Sequence, residues 1–166
     1  MTGEFKNAPF MVAGAVPTVG ELFRSCAQVH SASTAIEYQG RQITYGQLLD
    51  RVQRAAAMLA GLGLRRGDRV ALLSHNRPEY FEVELAAANL GVITACLNWR
   101  LSPRELAYCI DLVSPKLVIA EAELAANLDP AAVESRQLIE LGPQYERLLQ
   151  QQSSHPTPIL ANSEDG

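Results

Sequence analysis

The chain has 166 residues, 48% hydrophobic and 19% charged, with a net charge of −4. That size suits one domain with a real core, and the composition excludes a disordered chain. No apolar run reaches the ~20 residues that a bilayer-crossing helix needs. Residues 1–10 place Glu4 and Lys6 before a short apolar patch, unlike a secretion signal.

Three cysteines, Cys26, Cys96 and Cys109, are an odd count without a short pairing pattern. They read as buried thiols in a reducing compartment, which predicts a cytoplasmic chain. Charge is uneven. Residues 41–104 hold nine Arg and no Lys against five acids, whereas residues 105–166 hold three bases against ten acids. A positive middle could face an anionic ligand; the alternative is a set of solvated helix faces and turns. No basic run interleaved with aromatics points to nucleic acid.

In chain order, residues 1–33 read as an arm and a helix, 34–150 as an α/β segment and 151–166 as a linker. Thr18-x-x-Glu21, Thr44-x-x-Gln47 and Ser102-x-x-Glu105 fit capping boxes, in which the two side chains satisfy each other's unpaired backbone donors. Asn76-x-x-Glu79 is a variant with Asn as the cap. Ile43 with Leu48 and Leu101 with Leu106 add hydrophobic staples, and Pro103 falls at a first helical position.

After Ile36 to Tyr38, Gln39-Gly40 reads as a tight hairpin turn leading to Gln42 and Thr44. The helix from residue 45 to about 60 carries Leu48, Val52, Ala55, Leu59 and Leu62 on one stripe, with Arg51 and Arg54 outside it. A second helix, about 77–90, is rich in alanine and stops at Gly91. A third, about 103–112, presents Leu106, Cys109, Ile110 and Val113. Short apolar runs at 69–73, 92–97, 116–120 and 137–141 read as strands covered on both faces. Strand and helix alternate, so the fold class is α/β with a mainly parallel sheet, flanking helices and an N-terminal β-hairpin.

Chemistry-bearing patterns are few. There is no G-x-x-x-x-G-K-[ST], and Gly61 to Gly67 follows a helix and precedes a strand, the wrong order for a phosphate cradle. No G-x-S-x-G elbow occurs, and His30, His75 and His155 pair with no cysteine at zinc-ligand spacing. His75 follows a strand end, where such sheets place functional groups, but a lone histidine in such a loop is more often a surface or capping residue. Trp99 reads as a packing anchor. Arg100 is the best single candidate: it ends a strand-to-helix turn, where a guanidinium could reach a phosphate or could pair with a nearby acid.

Several short stretches recur in one order: Ile43-Thr44-Tyr45-Gly46-Gln47-Leu48, Gly67-Asp68-Arg69-Val70, Asn76-Arg77-Pro78-Glu79-Tyr80, Leu90-Gly91-Val92, Leu97-Asn98-Trp99-Arg100-Leu101 and Ser102-Pro103-Arg104-Glu105-Leu106. Together they resemble the opening third of the AMP-forming acyl-CoA synthetases of the adenylate-forming superfamily, over residues 18–124. The wording around Trp99 looks most like bacterial fatty-acid–CoA ligases; Cys96 departs from the proline that many relatives carry there. The resemblance implies that the parent enzyme uses ATP, Mg2+ and coenzyme A to convert a carboxylic acid to an acyl adenylate and then a thioester. It implies that Arg100 lies near coenzyme A phosphates. It also implies that the lysine-ending Ser/Thr/Gly-rich loop, the ribose-binding aspartate and the mobile C-terminal domain lie beyond Gly166.

No catalytic residue, bound cofactor or metal is therefore expected in this chain by itself. The expected partners are the remainder of the parent polypeptide and, through an uncovered apolar face, a second copy. A free-standing, non-catalytic α/β binding module derived from the same segment is the alternative. A flavodoxin-like protein is a weaker one.

Overall fold

The computed structural model describes residues 17–154. The arm before Pro17, His155 and the expected linker from residue 155 on lie outside the described residues. Helix α1 (Val19–Val29) begins at the Thr18 capping box. It is followed by the antiparallel hairpin β1 (Thr34–Tyr38) and β2 (Arg41–Thr44). The hairpin turns on Gln39 and Gly40, with φ of 51° and 75°. Two positive φ values in succession are what a two-residue type I′ connection requires.

Helix α2 (Tyr45–Gly61) starts at the Thr44–Gln47 capping box. Strand β3 (Arg69–Leu73), helix α3 (Pro78–Leu90), strand β4 (Ile93–Leu97), helix α4 (Pro103–Val113) and strand β5 (Leu117–Glu121) then alternate. Two short helices, α5 (Ala122–Ala125) and α6 (Pro130–Val133), lead to strand β6 (Gln137–Leu141) and helix α7 (Pro143–Gln150). The sequence reading did not anticipate these last helices; α5 and α6 have four residues each, too short for a periodic signal.

β4, β3, β5 and β6 form one parallel sheet in that order. Alternate side chains divide its core in two. Val70 and Leu72 of β3, with Leu117 and Ile119 of β5, pack against α2, α3 and α7. Ala71 and Leu73, with Val118 and Ala120, pack against α4 and α5. Each fully buried Val, Leu or Ile side chain among these contributes about 1.5–3 kcal/mol. The central strands thus read as continuous apolar runs because both faces are covered.

Four expectations need correction. β4 and β6 are not covered on both faces: they are the two edge strands of this sheet, Ile93 is 54% exposed, and Gln137 and Glu140 are exposed. The cysteines are free but not buried, Cys26 and Cys109 being half-exposed and Cys96 exposed. Asn76 does not cap α3. Its cap is Arg77, held extended at φ −150° and ψ 161° without a side-chain cap bond, because the proline that follows disfavours the helical region for the residue before it. Arg51 is no solvated outer residue. It is half-buried and bonds Glu82 of α3 and Glu146 of α7, so it ties three helices on one side of the sheet.

Candidate functional site

β3 connects through α3 to β4 on one side, while β5 lies on its other side and leads on to β6. The two crossover helices α3 and α4 pack on opposite faces. The strand order therefore reverses between β3 and β5, and the carboxyl ends of these strands form the crevice where open α/β sheets take ligands. Ser74 and His75 follow β3 there, and Glu121 closes β5.

These groups are joined. The Ser74 hydroxyl donates to Glu121 Oε1 at 2.8 Å and the His75 backbone N–H to the same oxygen at 2.6 Å. His75 Nδ1 lies 3.1 Å from Glu121 Oε2, and Arg77 Nη1 lies 3.9 Å from it. Burial opposes the charge on Glu121, but the hydrogen bonds from Ser74 and His75 outweigh it and hold the carboxyl below its ordinary value. Arg77 in turn grips Glu79 through Nε and Nη2, both at 2.8 Å. This fork raises the Arg77 pKa. On Glu79, burial pushes the other way, but Arg77 prevails and lowers it.

The β4–α4 turn supplies the other wall. Asn98 Oδ1 accepts from the Arg100 backbone N–H at 3.0 Å, which fixes the bend, and the Ser102–Glu105 capping box opens α4 directly afterwards. The His75 and Trp99 rings approach to 4.4 Å between centroids, tilted by 48°. The Arg100 guanidinium lies 4.6 Å from the centre of the Trp99 ring. A chain of contacts therefore runs from Glu121 through His75 and Trp99 to Arg100. The stack places a cation against an aromatic face, worth about 0.5–1 kcal/mol at an exposed site.

Arg100, the residue singled out from sequence, stands at this crevice. Among the described residues its side chain makes no ion pair, so the acid partner considered as its alternative role is not there. His75 caps no helix: its backbone N–H and Nδ1 both meet Glu121, and its ring is partly exposed. Trp99 is 40% exposed, so it is a wall of the crevice rather than an interior anchor. The sequence reading missed Glu121 and Ser74. A carboxylate ending an otherwise apolar strand, Leu117 to Ala120, was the available signal. Among the described residues no three His, Cys, Asp or Glu side chains converge as metal ligands, and no helix is long and apolar enough to cross a membrane.

A parallel sheet whose order reverses between β3 and β5, with helices on both faces, defines a doubly wound α/β protein. The chain matches the AMP-binding enzyme family over residues 23–164, and it belongs to that family. It is 29% identical over 149 residues to 4-hydroxybutyrate–CoA ligase 2 of Metallosphaera sedula, covering 79% of this chain and 27% of the ligase. An uncharacterized Mycobacterium tuberculosis protein is 30% identical over 118 residues, covering 70% of this chain and 67% of that protein. The crystal structure of the N-terminal domain of FACL13 from M. tuberculosis superposes with a TM-score of 0.84 and 25% identity, over 90% of this chain and 40% of that one. The fold is the front part of the N-terminal domain of adenylate-forming enzymes, and the chain spans little more than a quarter of the ligase's length.

Proposed function

We propose that this chain is the N-terminal portion of an AMP-forming acid–thiol ligase acting on a carboxylic acid, with fatty acids as the leading substrate class, in the cytoplasm. ATP with Mg2+ supplies the activating phosphorus and coenzyme A the accepting thiol. In this reading Arg100 meets anionic phosphate of coenzyme A at the mouth of the crevice, and the remainder of the polypeptide is the partner that completes the site. One observation carries the proposal: the Arg100 guanidinium, without an ion pair among the described residues, is held at the carboxyl end of the sheet by the Asn98 turn and the Trp99 face. A guanidinium placed this way can take two phosphate oxygens at once.

The chain has a single tryptophan, which lies against that guanidinium and reports directly on it. Titration of the chain with coenzyme A should change Trp99 fluorescence saturably, and Arg100→Ala should abolish the response. An unchanged signal, or an equal response in the variant, refutes the assignment of Arg100. By itself the chain should show only background ATP–pyrophosphate exchange with a panel of carboxylic acids; turnover above background refutes its inactivity. A second reading, a free-standing non-catalytic module, is favoured by the M. tuberculosis relative, two thirds of which this chain covers.

A further inference from the structure

The opposite, amino-terminal edge of the sheet holds a second polar cleft of about 460 Å³. Its walls come from the first residues of three neighbouring strands, so the ladder itself brings them together. Lys116 N–H donates to Arg69 O at 2.9 Å, and Gln137 N–H to Lys116 O at 3.4 Å. Arg69, Lys116 and Arg136 therefore stand along one rim, with Ser114 and Ser135 between them.

The acids near this rim do not balance it. Lys116 Nζ bonds Asp68 at 2.6 Å, and Arg136 Nη2 bonds Asp111 at 3.1 Å, where Asp111 is 68% exposed. Arg136 Nη1 also donates to Ala132 O. Arg69 spends its bonds on carbonyls, Nε to Val113 O at 3.0 Å and Nη2 to Ser114 O at 2.8 Å, and makes no ion pair among the described residues. Its guanidinium is thereby locked at the C-terminus of α4, where a cation is favoured, with N–H groups left over. Three cations against two acids, one of them largely in water, leave the cleft positive.

We propose that this amino-edge cleft binds a compact phosphate-class anion carried by a small molecule, gripped by Arg69, Lys116 and Arg136, with Ser114 and Ser135 as hydroxyl donors. The cleft's size lies in the range of small-molecule sites. Charge-assisted bonds to fixed guanidinium groups are the strongest polar contacts a surface site offers. Five-residue strands separate the two edges by roughly 16 Å, beyond the screening length of about 8–10 Å at physiological salt. The cleft is therefore electrostatically independent of Arg100.

The test is an amide NMR titration of the 166-residue chain with inorganic pyrophosphate at physiological salt. Saturable shifts are expected at Ser114, Lys116, Ser135, Arg136 and Gln137, weakening as salt rises. The double variant Lys116→Gln/Arg136→Gln should weaken binding about tenfold or more. Gln137→Glu, which removes no cation, should also weaken it and serves if the double variant fails to fold. Anionic phosphatidic acid vesicles form a second arm. Absence of saturation by ~10 mM, unaltered binding in the variants, shifts confined to residues 98–102, or binding to vesicles without binding to free pyrophosphate would each overturn the proposal.

Discussion

Replacing Arg51 with methionine should be among the most damaging single changes in the helical layer. Arg51 donates Nε and Nη2 to Glu82, the latter at 3.0 Å, and Nη1 and Nη2 to Glu146 at 3.1 and 2.6 Å. Glu82 is 1% exposed, while Glu146 is 38% exposed. The arm to Glu146 is therefore screened and is worth about 0–1 kcal/mol. The arm to Glu82 is different, because removing the guanidinium leaves a buried carboxylate with Tyr145, whose hydroxyl donates to Glu82 at 3.1 Å, as its one remaining partner. Breaking a buried pair costs about 3–5 kcal/mol. Tyr145 and the partial solvent access of Arg51 bring this to about 2–4 kcal/mol. For a chain of this size that is a Tm lower by about 6–12 °C.

The pH dependence separates this account from simple loss of packing. Burial raises the Glu82 pKa, and Arg51 pulls it back only in part. On Arg51, burial opposes the charge, but Glu146 and Glu82 outweigh it and the guanidinium stays charged throughout. A carboxyl raised in the fold contributes its full stability below its unfolded value of about 4.3 and loses it as pH rises through the folded value. Without Arg51 the raise is larger, so Arg51→Met should lose more stability at pH 8 than at pH 5, where Glu82 can keep its proton. The double variant Arg51→Met/Glu82→Met should recover most of the loss. Urea denaturation at both pH values is the assay. A single variant within about 1 kcal/mol of the parent, or a double variant no better than the single, would refute the reasoning.

Ser102→Ala removes the hydroxyl that accepts from Glu105 N–H at 3.4 Å at the start of α4 and should lower Tm by about 2–4 °C; an unchanged melting curve would mean the cap is idle. Glu121 is lowered in the fold, so its contribution is present above about pH 4.3 and is lost as pH falls through its folded value. Glu121→Ala should flatten that acid limb and speed hydrogen exchange at the His75 amide, and equal acid limbs would count against the clamp. Trp99, Tyr108, Leu112 and Ile93 are 40%, 68%, 72% and 54% exposed, so sedimentation should show concentration-dependent association. A strictly monomeric chain would argue against an uncovered face.

Local chemistry made most of the fold legible. The three capping boxes, the Gln39-Gly40 turn and the Gly91 stop each specify one backbone geometry from two or three neighbouring residues, and each stands where it was expected. Gly91 adopts φ 65°, a left-handed value that a side chain would strain. Long-range pairing was not legible. Nothing near Arg51 announces Glu82 and Glu146, which are 31 and 95 residues away. Nothing near Ser74 announces Glu121, 47 residues on. Strand position was equally hidden, because an apolar run cannot say whether it will lie at the centre or the edge of a sheet. The apolar run at 92–97 therefore carries no mark of the edge position that β4 occupies. In the crevice, Arg100 could be singled out because its turn and helix start are local, whereas the carboxylate that organises the opposite wall is not.

The proposed function divides binding from reaction, and magnitudes support that division. Acceleration of the order enzymes achieve corresponds to roughly 8–23 kcal/mol of transition-state stabilisation. It requires several preorganised donors aimed at one developing charge. Here Ser74, the His75 amide and His75 Nδ1 all turn inward onto Glu121, and Arg77 is committed to Glu79. The Arg100 guanidinium makes no ion pair among the described residues and lies against the Trp99 ring. A hydrogen bond to a charged group is worth about 1.5–3 kcal/mol, enough to hold one end of an anionic molecule and below that range. Under the proposed function, Arg100 would hold the anionic end of a ligand, and the remainder of the parent polypeptide would supply the groups that react with it.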